Sequence, residues 1–244
     1  MKKIFILLTV LFFTAGRVCA QELSFSDFHN NVSPENLEHF TKDLSGLLGS
    51  GNFTTGRILG WGGFQLSGRT ALMPSPSKGN TALGNAEREG HKFYPWIQGE
   101  IGLPFRLDGY IRASSFDGLT VAGGGLKWGI IRPTEILYTF QPMVVVLAES
   151  GVHESFSLTH YSADFVLSFR LPYVVPYLGG GVDYMKLVVQ TAADASLVGE
   201  TVYATTPRGV LGVNIRLPYY MDLSLAAHYV NYGIGGEASF GVRF

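Results

Sequence analysis

The stretch "HYSADFVLSFRL", residues 160–171, alternates between two kinds of side chain along its whole length. The mostly polar set is His160, Ser162, Asp164, Val166, Ser168 and Arg170, and the apolar set is Tyr161, Ala163, Phe165, Leu167, Phe169 and Leu171. Because successive side chains of a strand point to opposite faces, this pattern predicts a β-strand with one polar and one apolar face. Its length suits the roughly 9–11 residues that a tilted strand needs to cross a bilayer, whereas strands of soluble proteins usually have about 5 or 6.

The same alternation recurs in other parts of the chain. It appears in residues 96–105, in residues 208–217 and in the final "EASFGVRF", residues 237–244. Strand-like patterns start near residues 62, 93, 109, 119, 136, 156, 175, 208, 223 and 237. We therefore expect a closed, antiparallel, up-and-down transmembrane β-barrel of about ten strands. Eight strands would result if the weak segment 109–116 pairs loosely, and twelve if the apolar segment 136–148 is wrongly divided.

The connections between these strands are of two kinds. A Leu-Pro-aromatic turn occurs in residues 102–111, 170–179 and 216–225, with a looser version in 131–140. Proline fixes a turn and cannot donate to a strand ladder, so it belongs at strand ends. These short turns alternate with the longer polar connections 73–92, 148–155 and 190–206, and with tight ones near 116–118 and 232–236. Short turns at one end and longer loops at the other are typical of outer-membrane barrels, and an even strand number is expected to return both termini to one side.

The first twenty residues have the features of a secretory leader. Lys2 and Lys3 precede the apolar run "IFILLTVLFF", and "VCA" forms a small-residue cleavage site after Ala20. Cleavage would remove the only cysteine and would make the formal net charge of −1 more negative. We therefore expect an exported protein without disulfides, and the scattered basic residues argue against nucleic-acid binding.

A short amphipathic helix is predicted before the first strand. Ser33 is a plausible N-cap, Pro34 follows at the first helical position, and Glu35 lies in the first turn. Apolar residues then recur at helical spacing, namely Leu37, Phe40, Leu44, Leu47 and Leu48. The sequence thus divides into a leader at 1–20, a helical segment at 21–56 and a barrel at 57–244. We expect the helix to pack against one end of the barrel, with a plug or a lid as the alternative.

Aromatic residues cluster near the predicted strand ends, as in the interfacial girdles of membrane barrels. One predicted girdle consists of Phe93, Tyr94 and Trp96, and the other of Phe105, Tyr173, Tyr177, Tyr219, Tyr220 and Phe244.

The leader, the segment "VPYLGGGVDYMK" (175–186), the hairpin "LGVNIRLPYYMDLSLAAHYVNYG" (211–233) and the final "ASFGVRF" together resemble the small bacterial outer-membrane β-barrel proteins. The block "DLSGLLGSGNFTTGRILGWGGF" (43–64) is also similar to an uncharacterised family of exported barrels. The resemblance implies a location in the cell outer membrane, in contact with its lipid. It also implies recognition of the last strand by the barrel-assembly machinery, through Phe240, Val242 and Phe244.

Several charged residues fall on the predicted lumen side of the strands. They are Glu100, Arg112, Lys127, His160, Asp164, Arg170, Asp183 and Arg216. A ten-stranded barrel is narrow, and unpaired buried charges are costly, so we expect these residues to form a polar network that fills the lumen. The alternative is a narrow polar path through the barrel.

The sequence offers little support for catalysis or for a cofactor. His160, Ser162 and Asp164 share one strand face, which suggests a lipid-acting hydrolase, but residues two apart on a strand lie about 6–7 Å from each other. We assign no catalytic residue, no metal ligand and no cofactor. The function we expect is that of a monomeric, non-enzymatic membrane scaffold or surface-interaction protein. The alternatives are a narrow pore or transporter for small or apolar solutes, and the hydrolase.

Overall fold

A computed structural model describes residues 24–73, 76–84, 92–134, 136–231 and 233–244. The predicted leader, its cleavage site after Ala20 and part of the connection 73–92 lie outside the described residues. Within the described ranges, no helix has both the length and the apolar content to cross a bilayer.

Ten antiparallel strands form a closed barrel, as the alternation predicted. Each strand pairs with its neighbours in the chain, and β1 pairs with β10 from Gln65↔Arg243 to Leu72↔Gly236. Closure leaves no strand edge unpaired, which is the condition for a sheet to lie in hydrocarbon. The strands are β1 Phe64–Met73, β2 Lys92–Leu103, β3 Leu107–Phe116, β4 Leu119–Gly129, β5 Phe140–Val152, β6 Phe156–Phe169, β7 Val174–Val189, β8 Thr201–Arg216, β9 Met221–Val230 and β10 Gly233–Arg243.

Three strands begin four or more residues away from the predicted position. β10 starts at Gly233 rather than near residue 237. β8 starts at Thr201 rather than near residue 208, because Ala204 and Thr206 continue the inward-facing alternation. Pro207, which lies inside this strand opposite Val182, obscured the pattern, since proline normally marks a strand end. β5 starts at Phe140 rather than at residue 136, after a loop that contains Tyr138.

The outer wall of the barrel is apolar. Large side chains on every strand are exposed on this face, among them Leu66, Ile97, Ile111, Leu126, Val146, Tyr161, Phe165, Leu178, Tyr203, Leu225 and Phe240. The predicted aromatic girdles are wrong for three residues, because Tyr94, Trp96 and Tyr177 are buried on the lumen side. They occupy inward positions of the alternation, which takes precedence over their closeness to strand ends.

The N-terminal part of the chain folds into a 3-10 helix at Phe25–Asp27, a short helix α1 at Phe28–Asn31 and a longer helix α2 at Pro34–Gly49. The backbone N–H of Ser33 donates to the side chain of Asn36 at 2.9 Å, which stabilises the first turn of α2. Two further short 3-10 helices lie in connections, at Pro104–Arg106 and Ala195–Leu197. The predicted amphipathic helix is therefore present, as α2.

The expectation that the helix packs against one end of the barrel is wrong, because α2 enters the lumen. It contacts β8, β7, β6 and β1, and Asp43–Gly49 are buried on every side. Glycines allow this close approach. A Cβ atom at Gly46 would lie 1.9 Å from Val230 Cγ1, and one at Gly49 would lie 2.2 Å from Asp183 Oδ1. We call residues 34–59 the lumen segment, the end with the short turns the turn end, and the opposite end the loop end.

Candidate functional site: the occupied lumen

The N-terminal residues are fastened at the loop end. The Ser24 hydroxyl and the Phe25 N–H donate to the carboxylate of Asp117, in the β3–β4 turn, at 3.0 and 2.8 Å. The carbonyl of His29 accepts from the N–H of Ala193, in the β7–β8 loop, at 2.9 Å. The first described residues therefore lie at the end opposite to the start of β1.

The chain reaches the turn end by way of the lumen. After α2, the N–H of Leu59 donates to Asp108 at 2.6 Å, and Gly102 donates to the carbonyl of Gly63 at 2.7 Å. β1 then begins at Phe64, beside Phe244. The expectation that both termini lie on one side thus holds for the ends of β1 and β10 and is wrong for residue 24, since the lumen segment crosses the barrel before the first strand.

Aromatic rings close the lumen at the loop end. Phe28 packs against Phe40 and Phe156 with ring centroids 4.8 and 4.9 Å apart, and Phe40 and Phe156 are separated by 5.4 Å. Asp43 ties the helix to the loops above it, since its carboxylate accepts from the N–H of Ser77 at 2.9 Å and from the side chain of Asn80 at 2.7 Å. Packing and hydrogen bonds therefore hold the helix at this mouth of the barrel.

A buried chain of ionic contacts crosses the lumen below this cap. Arg112 donates two hydrogen bonds to Glu149, each 2.8 Å long. Glu149 lies 2.9 Å from Nδ1 of His160, and Nε2 of the same ring lies 3.5 Å from Asp183. Asp183 in turn accepts from Arg208 at 2.9 Å. A two-bond pairing between a guanidinium and a carboxylate is strong and directional, so this chain links β3, β5, β6, β7 and β8.

The chain of contacts continues from Arg208 into the lumen segment. Arg208 donates to Asp164 at 2.7 Å, and Asp164 also accepts from the Ser162 hydroxyl and from the Asn52 side chain, both at 3.0 Å. Tyr110 donates to the other atom of the same amide group, the oxygen of Asn52. Asn52 is therefore held by groups from two sides of the barrel wall.

A second cluster of charges surrounds Glu100. It accepts from Lys127 at 2.7 Å, from Gln98 at 2.7 Å and from Arg69. Arg69 also donates to the carbonyl of Gly51 at 2.9 Å. This cluster therefore contacts the lumen segment just beyond the end of α2.

One arginine of the wall also donates hydrogen bonds to carbonyls at the end of α2 and just beyond it. Arg112 donates to the carbonyls of Leu48 and, at 3.3 Å, Ser50. The C-terminal end of a helix carries unpaired carbonyls and a partial negative charge, which a cation stabilises. At the buried end of α2, the carbonyl of Leu48 thus accepts from the barrel, whereas the carbonyls of Gly46 and Leu47 accept from Ser50.

Six of the eight predicted lumen residues lie together in these two clusters: Glu100, Arg112, Lys127, His160, Asp164 and Asp183. Arg170 is buried near the turn end, where it donates to the carbonyl of Thr134 at 3.3 Å. Arg216 is half-buried at the last residue of β8.

The three residues of the predicted assembly signature lie on the closing strand. Phe240 and Phe244 are exposed on the outside of the barrel, and Val242 is partly buried. Phe244 packs against Phe64 with a centroid distance of 6.0 Å, so the ring covers the seam between β10 and β1.

Four important residues were not selected from the sequence. Arg69 and Arg208 lie at inward positions of alternating strands, and that signal could have identified both. Glu149 was assigned to a loop, whereas β5 continues to Val152. Asn52 lies outside regular structure, and no sequence pattern indicated its role.

The arrangement around His160 does not form a catalytic triad. The Ser162 hydroxyl donates to Asp164 and accepts from Arg208, whereas His160 lies between Glu149 and Asp183. All three candidate residues are buried. Among the described residues, no group of three or more His, Cys, Asp or Glu side chains is placed to hold a metal ion.

Comparisons with solved structures return small barrels at low similarity. Neisserial surface protein A (NspA) is 16% identical, covers 74% of this chain and 94% of its own, and has a TM-score of 0.31. LpxR from Salmonella typhimurium is 10% identical (73% and 99% covered, TM-score 0.33), and Ail, the attachment invasion locus protein of Yersinia pestis, is 11% identical (75% and 99%, TM-score 0.25).

No protein-family model matches the chain, and no curated protein does. The similarity to solved structures is too low to carry an argument about function. The closed ten-stranded wall and its apolar outer surface nevertheless establish that this chain has the fold of an outer-membrane β-barrel.

Proposed function

We propose that this protein is a non-enzymatic outer-membrane barrel whose lumen is closed by its own N-terminal segment. It acts through its two ends, as a membrane scaffold or a surface-interaction protein. The observation that carries this proposal is the threaded lumen segment, whose backbone and side chains complete the hydrogen bonds of the wall.

Burial of apolar side chains supports a segment that stays in place. Leu37, Phe40, Leu44, Leu47 and Leu48 are each at most 2% exposed. Burying a large apolar side chain contributes about 2 kcal/mol, so these five supply a gross stabilisation on the order of 10 kcal/mol. Withdrawal of α2 into water would lose most of this amount.

The electrostatics argue against the alternative of a conducting path. Arg69, Arg112, Lys127 and Arg208 are buried, and each contacts a carboxylate. Removing the lumen segment would take hydrogen bonds away from Arg69, from Arg112 and from Asp164, the partner of Arg208. Each buried polar group that loses its partner destabilises the fold by about 1–3 kcal/mol. An open pore would have to compensate for each of these losses with water.

The hydrolase alternative receives less support still. Ser162 is hydrogen-bonded to Asp164, is only 4% exposed and lies beneath the lumen segment. A lipid substrate would have to displace that segment before it could reach the hydroxyl group.

A reversible tether between α2 and the wall tests the closed lumen. An ideal Cβ at Gly46 lies 3.0 Å from Val230 Cβ. The two Cβ atoms of a disulfide are usually about 3.5–4.5 Å apart, so a small shift allows a disulfide in the double variant Gly46→Cys, Val230→Cys. We expect planar bilayers containing this double variant to show no conductance, whether the bond is oxidised or reduced.

The single variant Val230→Cys is the matched control, since it carries one cysteine without the tether and leaves Gly46, and with it the fit of α2, unchanged. Conductance that appears on reduction and disappears on oxidation, in the double variant alone, would contradict the closed-lumen proposal and would identify a gated pore.

A further inference from the structure

Two turns at the turn end hold their residues in an unfavourable conformation, and in the β8–β9 connection these are Tyr219 and Tyr220. In the β2–β3 connection, Phe105 and Arg106 have φ values of 62° and 64°. Left-handed backbone costs about 1–2 kcal/mol for a residue that carries a Cβ, so glycine or asparagine would be the easier choice at both positions. The conformation leaves the ring of Phe105 84% exposed. Strain of this kind at an exposed aromatic residue suggests a binding role.

Two arginines that have no acidic partner among the described residues lie beside this ring. Phe105, Arg106 and Arg132 line one open hollow of about 510 Å³. Arg106 donates one hydrogen bond, to the carbonyl of Ile130, and has no carboxylate partner among the described residues. Arg132 is exposed and forms no hydrogen bond or ion pair with any described residue.

Arg106 and Arg132 differ in this respect from four buried lumen cations, each of which contacts a carboxylate: Arg69, Arg112, Lys127 and Arg208. Like charges on neighbouring side chains repel, and an anion bound between them would remove the repulsion. Guanidinium groups suit phosphate in particular, since their planar N–H fork can donate two parallel hydrogen bonds to it.

We propose that this hollow binds the phosphate headgroup of an anionic phospholipid, which goes beyond the function proposed above. The exposed aromatic residues at the same end of the barrel favour a lipid over a soluble anion: Phe105, Tyr173, Tyr219, Tyr220 and Phe244. Such a belt is typical of the membrane interface, where headgroups lie. The ring of Phe105 contacts the upper acyl region, and Arg106 and Arg132 hold the phosphate.

Native mass spectrometry of the full chain in detergent tests this site. The protein is titrated with phosphatidylglycerol and, in parallel, with zwitterionic phosphatidylcholine. We expect the wild type to prefer phosphatidylglycerol. Arg106→Gln and Arg132→Gln are each expected to weaken that binding about fivefold, since one basic residue near a lipid surface contributes about 1 kcal/mol. Because Arg132 makes no polar contact with the described residues, its variant is not expected to disturb folding, which the gel-mobility difference between boiled and unboiled samples checks.

Lys78→Gln is the matched control, because it removes an exposed positive charge at the loop end. Equal phosphatidylglycerol binding by the wild type and by the double arginine variant would overturn the proposal, as would equal binding of the two lipids by the wild type. A third arm adds inorganic phosphate alone. If it displaces phosphatidylglycerol at equal concentration, the ligand is a soluble phosphate and the lipid assignment is wrong.

Discussion

At the scale of single residues, Arg112 connects the barrel wall to the lumen segment. Its guanidinium pairs with Glu149 and also donates to the carbonyls of Leu48 and Ser50 at the end of α2. Removing one member of a buried ion pair is far more harmful than removing an exposed charge, because the remaining partner stays buried and unpaired.

We therefore expect Arg112→Ala to lower the free energy of unfolding by about 3–5 kcal/mol. Arg112→Lys should lower the free energy of unfolding by a smaller amount, because lysine keeps the positive charge. It should still be destabilising, because lysine cannot make the two-bond contact with Glu149. Urea unfolding from lipid vesicles, followed by tryptophan fluorescence, measures both changes. The matched control is Arg132→Ala, which removes an exposed arginine. It should change the free energy of unfolding by no more than about 0.5 kcal/mol. Equal effects of the two alanine variants would contradict the structural role of Arg112.

The sequence was informative about which residues point inward and uninformative about their partners. Strand alternation selected Glu100, Arg112 and Asp164 correctly as inward-facing residues, because the side-chain period of a strand is two. The contact between Arg112 and Glu149 depends instead on the register of β3, β4 and β5, which no local pattern specifies.

At the scale of elements, α2 fits inside the barrel because two of its positions lack side chains. Gly46 faces Val230 and Gly49 faces Asp183, so the helix backbone lies directly against the wall. The amphipathic pattern predicted the helix itself. It did not reveal that the C-terminal half is surrounded on all sides, since a helix that carries small and apolar residues can pack either on a surface or within a cavity.

We expect Gly46→Leu to expel α2 from the lumen while the ten strands stay paired. A Cβ at this position already overlaps Val230, and a leucine adds three further carbon atoms. Limited proteolysis should then cleave the variant within residues 34–59. Planar bilayers should show conductance for this variant and none for the wild type. Glu35→Leu introduces the same side chain at an exposed position of the same helix and should leave the segment protected. Full protection of the lumen segment in Gly46→Leu would contradict this account.

At the scale of the whole molecule, the threaded segment separates the two ends of the described chain. Residue 24 lies at the loop end, near Asp117, whereas Phe244 lies at the turn end, near Phe64. In outer-membrane barrels the short turns face the periplasm and the longer connections face the exterior. The first described residues should therefore be accessible from outside the cell.

Single cysteines test this arrangement, because the only natural cysteine is Cys19, inside the predicted leader. A membrane-impermeant maleimide should label Ser26→Cys on intact cells, since Ser26 is exposed at the loop end. Tyr220→Cys, at the turn end, should react only after the outer membrane has been permeabilised. Labelling of Tyr220→Cys but not Ser26→Cys on intact cells would reverse the proposed orientation.

Local periodicity determined the elements of this protein. The alternation in strands such as 160–171, the Leu-Pro-aromatic turns and the helical spacing of Leu37, Phe40 and Leu44 each act over a few neighbouring residues, and each predicted its element. Strand bounds were less certain where proline or a polar composition interrupted the pattern, as in β8.

Only the tertiary structure decided what fills the lumen. The path of residues 50–59 depends on partners far away in the sequence, such as Asn52 with Asp164 and Leu59 with Asp108. An irregular segment has no period of its own, and its backbone groups are satisfied by whichever wall residues barrel closure brings near. A local pattern therefore cannot distinguish a plug from a helix resting on the rim, whereas the contacts of Gly46, Gly49 and Asn52 with the wall identify the plug.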